Sequence, residues 1–157
     1  MKTTAKTAKI TNIAKRFGKL GKVYKQDKRA VWIDVPSKDI MKALGEVRKA
    51  TERISDISIY DTGKGLLEVM YRFFISGTVL NIKTRINDVK PRINTAVRLF
   101  PGALLFEREQ HEMFGVWFSG HPGLDKVLFA KTTPETPLRK KCILDKMKNP
   151  VKEEKDG

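Results

Sequence analysis

The sequence predicts an α+β fold, with an antiparallel or mixed sheet of about four strands and helices on one face. A basic N-terminal helix precedes the sheet and an irregular C-terminal tail follows it. Three observations carry the expectation. Residues 30–35, 54–60, 66–76 and 78–86 are rich in β-branched and aromatic residues and mostly alternate with period two. Residues 39–51 and 103–114 instead space their apolar residues as a helix does. Glycine-bearing turns join the last three strand segments, and connections that short favour an antiparallel meander.

Taken in order, Ile10, Ile13, Ala14 and Phe17 fall at i, i+3, i+4 and i+7 between Lys9, Thr11, Lys15 and Arg16, as an amphipathic helix requires, and Gly18 and Gly21 stop it. Ala30-Val31-Trp32-Ile33-Asp34-Val35 reads as a strand closed by Pro36. Ser37 is placed to cap a helix over residues 39–51, in which Ile40, Met41, Leu44 and Val47 recur at helical spacing and Asp39 suits the first turn. Ile54, Ile57 and Ile59 mark a strand, Asp61-Thr62-Gly63-Lys64-Gly65 a turn, and residues 66–76 and 78–86 two more strands around Gly77. Asn87 and Asp88 offer caps for a short helix containing Val89, Ile93, Ala96 and Val97, with Pro91 near its start. Pro101-Gly102 breaks the chain before a helix over residues 103–114 that Gly115 ends. Val116-Trp117-Phe118 then reads as extended, and Ser119-Gly120-His121-Pro122-Gly123 as a turn that presents His121.

At 157 residues the chain is of a size for one domain with tails: a basic arm and helix over 1–28, an α+β domain over 29–130 and a charged tail over 131–157. No apolar run approaches the roughly 18 residues needed to span a bilayer, and the N-terminal lysines lead into no apolar signal block, so a cytoplasmic location is expected. A single cysteine, Cys142, forbids an intrachain disulfide and cannot supply the thiolates of an iron–sulfur cluster. The net charge of +14 is uneven, with +9 in residues 1–29 and +3 in residues 131–157. Such an arm suits nucleic acid, an anionic membrane or an acidic partner, and charge alone does not choose. It lacks the interleaved aromatics of a single-strand nucleic-acid platform, and docking of the helix on the core is the simpler reading of its apolar stripe.

Residues 107–124 gather both histidines, one of two tryptophans and a cluster of charge. On a helix Arg108 and Glu112 stand one turn apart beside Leu105 and Glu109, with Phe106, Met113 and Leu104 flanking. That stripe is either a surface ion pair or a face turned to another protein, where Arg108 could engage a carboxylate or backbone carbonyls. Metal chemistry fits poorly. A zinc-protease helix needs a second histidine four residues after His111, and position 115 is Gly115. The remaining possible set of His111, Glu112 and His121 is interrupted by that glycine. Glu107 and Glu109, at i and i+2, point to different faces and make no catalytic carboxylate pair.

Pro101-Gly102-Ala103, Glu107-Arg108-Glu109, Met113-Phe114-Gly115, Phe118, Gly120-His121-Pro122 and Leu124 together resemble the signature of the 30 kDa subunit family of respiratory complex I. That family also includes the corresponding subunits of membrane-bound, energy-converting nickel–iron hydrogenases and related archaeal complexes. Asp61, Tyr71 and Pro137-Leu138-Arg139-Lys140 also look like family positions, so the resemblance covers residues 10–141.

The resemblance implies an accessory subunit in the hydrophilic arm of a membrane-bound redox complex, peripheral on the cytoplasmic face and without its own active site. It would pack on a large catalytic subunit of the 49 kDa or hydrogenase type and near a small iron–sulfur subunit, in support of ion-coupled electron transfer. It would hold no cofactor; iron–sulfur clusters, and in the hydrogenase branch a nickel–iron centre, would lie on the partners. Glu107, Arg108, Glu109, Glu112, Phe114, Gly115, Phe118, Gly120, His121, Pro122, Leu124 and Arg139 would serve fold and subunit interface. Two departures stand out: Glu112 occupies a usual aspartate position, and Asp125-Lys126 replaces a usual arginine pair. These and the short chain favour the hydrogenase-like or archaeal branch.

The alternative is a basic nucleic-acid-binding domain that uses residues 1–29, and low salt separates the two. A nucleic-acid arm shifts RNA or DNA in a gel and loses affinity steeply as salt rises, and absence of any shift at low salt removes that reading.

Overall fold

In the computed structural model, which describes residues 11–126, 128, 133 and 135–143, five strands form one mixed sheet in the order β1-β2-β5-β4-β3. Residues 11–17 are helical (α1) and lead into β1 (Lys22–Gln26) and β2 (Ala30–Asp34). A 3-10 turn, Ser37–Asp39, runs into α2 (Ile40–Arg48). Then come β3 (Asp56–Asp61), β4 (Leu66–Ile75), β5 (Thr78–Asn87), β6 (Arg92–Asn94), α3 (Ala103–Phe114) and β7 (Trp117–Ser119). Strands β6 and β7 pair with each other in a small parallel ribbon.

The path of the chain explains why the sheet is mixed. Strands β3, β4 and β5 form the expected antiparallel meander, but α2 first carries the chain from β2 to the far edge of the sheet. The meander then returns beside β2, so that β5 meets it in parallel with Ile33 opposite Ile82. A parallel neighbour needs such a crossover, and α2 supplies it. Strand β1, in the stretch assigned from sequence to the basic arm, is the other edge and pairs antiparallel with β2. Gly21 is required at its start because a Cβ there would run into the Asp34 carbonyl oxygen.

Period-two patterning selects the covered face. In β4, Leu67, Val69, Tyr71, Phe73 and Ile75 are buried, while Leu66, Glu68, Met70, Arg72 and Phe74 on the other face are half-buried or exposed. The covered face continues through Val31, Ile33, Ile57, Ile59, Leu80 and Ile82 and packs with Ile13 and Phe17 of α1, Leu44 and Val47 of α2, and Phe100. Ile10 of the expected stripe lies outside the described residues. The opposite face carries ions: Arg85 bonds Glu68 at 2.9 Å and Asp34 at 2.8 Å, and Lys83 reaches Glu68 at 3.3 Å beneath the Tyr24 ring.

Three local expectations change. Ser37 makes no capping bond and lies inside the 3-10 turn, whose Asp39 N–H donates to the Pro36 carbonyl at 2.9 Å. Helix α2 ends at Arg48 rather than at residue 51, where the Ala50 and Thr51 N–H groups both fold back on the Val47 carbonyl. The short helix expected around Val89, Ile93, Ala96 and Val97 is instead strand β6 followed by a turn. Pro91 removes a donor, Asn87 Oδ1 takes the Val89 N–H in a local turn, and β7 offers a ladder partner. Ile93 and Ala96 are buried either way, so their spacing could not decide between helix and strand.

Two buried hydroxyls on the covered face, Tyr71 Oη and Thr84 Oγ1, meet no hydrogen-bond partner among the described residues. Tyr71→Phe is therefore expected to leave stability unchanged or to raise it by about 1 kcal/mol in urea unfolding, since the phenol's desolvation is removed. A loss of that size would show that the hydroxyl is bonded.

Candidate functional site

Helix α3 positions most of the residues singled out between Glu107 and Leu124. It ends as expected, with Gly115 in the left-handed region at φ 72° and its N–H bonded to the His111 carbonyl at 2.8 Å. A Cβ at Gly115 would lie 2.6 Å from Thr136 Cγ2, so glycine also admits the returning tail.

The charged residues of the motif mostly turn inward. Glu107 is fully buried and accepts two short bonds of 2.6 Å, from the Thr95 hydroxyl and from the Ala96 N–H. Glu112 is buried and accepts the Leu128 N–H at 2.9 Å. Half-buried Arg108 directs Nε to the Asp125 carbonyl at 3.4 Å. Thus two residues of the stripe, Arg108 and Glu112, bond the segment that follows the His121 turn. Gln110, for which spacing gave no role, accepts the Ile59 N–H at 3.0 Å and so covers the open edge of β3. Glu109 is half-buried on the side away from Glu107, as their spacing requires.

Both histidines are tied to backbone. His111 Nδ1 lies 2.9 Å from the Val116 carbonyl, and the ring meets Trp117 edge-on with centroids 6.0 Å apart. His121 Nδ1 accepts the Gly123 N–H at 3.0 Å, which leaves Nε2–H to donate to the Leu104 carbonyl at 3.1 Å. The turn is thereby pinned to α3, with Gly120 and Pro122 exposed and Leu124 half-buried against the core. Phe114 and Phe118 are buried. Among the described residues no three His, Cys, Asp or Glu side chains converge as a metal would need.

Arg139 comes back from the tail to a cluster that the sequence did not disclose. It donates to the Asp88 carbonyl at 2.7 Å and the Phe114 carbonyl at 3.4 Å, and pairs with Asp61 at 3.4 Å. Buried Asp61 also accepts the Lys140 N–H at 3.0 Å and the Gly63 N–H at 2.8 Å. The only advance signal was that Asp61, Arg139 and Lys140 all matched family positions.

These features define a class of protein: an α+β domain with a one-sided sheet, in which the motif residues lock a helix, a turn and a returning tail together. The chain belongs to the family of 30 kDa subunits of respiratory-chain NADH dehydrogenase, whose family model matches residues 33–148. It is 36% identical over 75 residues to the C-type subunit of NADH-quinone oxidoreductase from Roseiflexus castenholzii, a stretch covering 46% of this chain and 43% of that protein. It is 39% identical over 59 residues to the C/D-type subunit of the same enzyme from Yersinia enterocolitica, covering 38% of this chain and 10% of that one. The matched stretches therefore span less than half of these relatives.

Among solved structures, a chain of the membrane-bound sulfane sulfur reductase, an archaeal respiratory membrane complex, superposes with a TM-score of 0.75 at 24% identity, covering 95% of this chain and 96% of that one. A trypsin-resistant fragment of Nqo5 gives 0.61 at 19% identity, covering 76% of this chain and 99% of the fragment. Both share the fold. Among the described residues no helix is long and apolar enough to cross a membrane.

Burial pushes the Glu107 carboxyl up to about 7, against the downward pull of its bonds from Thr95 and Ala96. Burial, and then the Glu107 charge, raise the Tyr71 phenol. A carboxyl whose folded pKa lies above its unfolded value contributes its full stability below the unfolded value and loses it as pH climbs through the folded one. Unfolding free energy is thus expected to fall between pH 4.5 and about 7, by on the order of 3 kcal/mol. Glu107→Gln stays neutral and keeps an acceptor for the Ala96 N–H, so it should flatten that slope in urea unfolding at stepped pH. An unchanged slope would assign the pH dependence to other groups.

Proposed function

We propose that this chain is an accessory subunit in the hydrophilic arm of a membrane-bound respiratory or hydrogenase-type complex. It packs on the large catalytic subunit, of the 49 kDa or hydrogenase type, and supports ion-coupled electron transfer without an active site of its own. The observation that carries the reading is where the motif's chemistry goes. In a chain of this family, Glu107, Glu112, His111, His121 and Arg139 all spend hydrogen-bonding groups on internal backbone or on ordering neighbouring segments. Groups committed in that way build a shape rather than perform acid–base or metal chemistry.

What the shape presents outward is a contact surface on the N-terminal half of α3 and the turn beyond β7. Leu105 is 56% exposed, with half-buried Arg108 and Glu109 on the same helix. His121 bonds the neighbouring Leu104 carbonyl, so exposed Gly120 and Pro122 lie close to this surface. An exposed leucine next to a rigid turn suits an interface core with a polar rim. In this reading iron–sulfur clusters and any nickel–iron centre belong to partner subunits, among them a small iron–sulfur subunit. The complex holds this chain at the cytoplasmic face of the membrane, peripherally.

Extraction with mild detergent and purification through this chain should bring down a large redox subunit. A wild-type chain that runs alone would overturn the proposal. Leu105→Glu is expected to leave unfolding stability within about 0.5 kcal/mol while sharply reducing the large subunit recovered.

A further inference from the structure

The ribbon of β6 and β7 leaves one face open. Ile93 and Phe118 are opposite each other and both buried, so their neighbours Arg92 and Trp117, also opposite each other, share the outward face. The Trp117 N–H donates to the Pro91 carbonyl at 2.8 Å, which holds the 90–92 segment alongside β7. Between them runs a groove of about 590 Å³ lined by Lys90, Pro91, Arg92, Gly115 and Trp117. Trp117 is 49% exposed, and His111 steadies its ring from the edge.

Charge and an exposed indole meet in this groove. Some cations of the fold have carboxylate partners, as Lys83, Arg85, Arg72 and Arg139 do. Lys90 and Arg92 are exposed and form no ion pair among the described residues, and among those residues no carboxylate lines the groove. An indole and a proline between two exposed cations complement an apolar side chain flanked by acidic ones. A membrane surface is a poorer match, because lipid-binding patches gather about 4–8 basic residues on an accessible face, and here two border a concave floor.

We propose that this groove docks an extended acidic segment of a partner protein, with an apolar side chain against Trp117 and flanking carboxylates on Lys90 and Arg92. The site is separate from the Leu105 surface, and its test does not require the large subunit.

The full chain with Trp32→Phe leaves Trp117 as the fluorescent reporter, since the sequence holds two tryptophans. The probe is a capped hexapeptide, Glu-Asp-Leu-Phe-Glu-Asp, titrated to about 5 mM, beyond the weak end of specific binding. Saturable change in Trp117 emission is expected. Affinity should fall about tenfold or more in Lys90→Glu/Arg92→Glu and on raising salt from about 50 to 500 mM. Lys90→Ala/Arg92→Ala serves if the reversed pair does not fold, and Lys22→Glu/Lys28→Glu controls for the basic arm. The proposal is overturned by no saturable change, by equal affinity in the groove variants, or by loss in the arm variant instead. It is likewise overturned if a single-stranded oligonucleotide or phosphatidylglycerol vesicles bind the groove more tightly than the peptide does.

Discussion

A buried carboxyl organises the half of the molecule that carries the family motif. Glu107 enters the core from α3 and takes the Thr95 hydroxyl and the Ala96 N–H, the two groups that lead the chain out of β6. The same junction is tied to β7 by the Thr95 N–H, which donates to the Ser119 carbonyl at 3.0 Å. Helix, ribbon and turn therefore hang on one side chain with no exposure to water. Such a group is costly to bury unless its oxygens are engaged, and here both are.

Around that junction the remaining polar motif residues act as clamps between segments far apart in sequence. His121 joins the turn to the start of α3, Arg108 and Glu112 hold the chain at 125 and 128, and Arg139 with Asp61 draws the tail onto the end of β3 and the C-terminus of α3. The two positions that the resemblance marks as departures, Glu112 and Asp125, fall in this system. Glu112 is longer than aspartate by one methylene and reaches the backbone at Leu128. Asp125 has an exposed side chain while its carbonyl is held by Arg108. The altered charge thus lies on the outside of a segment whose backbone is fixed.

The sheet shows the opposite strategy on its uncovered face. Glu68 is lowered by its bonds from Arg85 and Lys83, which outweigh the upward pull of burial. Its charge is balanced locally, as is that of Asp34. A mutually paired face offers little to a charged partner, whereas Lys90 and Arg92 beside Trp117 are exposed and form no ion pair among the described residues.

Much of the architecture was legible in the sequence because it is local. Alternation in residues 30–35 and 54–86 marks strands, helical spacing and Gly115 mark α3, and the motif from Pro101 to Leu124 marks the family. The local signals ran out where two structures bury the same residues. Ile93 and Ala96 suit either a helix or a strand, and it was β7, more than twenty residues later, that made β6 extended. Strand β1 alternates too weakly to be read alone and exists by pairing with β2. The parallel match of β2 with β5 likewise depends on where α2 carries the chain. The roles of the candidate residues were the least legible part. Spacing says which residues share a helix face, but whether a glutamate on that face meets solvent, a partner or the core depends on Thr95 or Leu128 arriving from elsewhere. Composition, periodicity and motif thus determined the elements and the family. Tertiary packing alone decided which charges became internal struts, because a charge can be buried only where distant segments bring it partners.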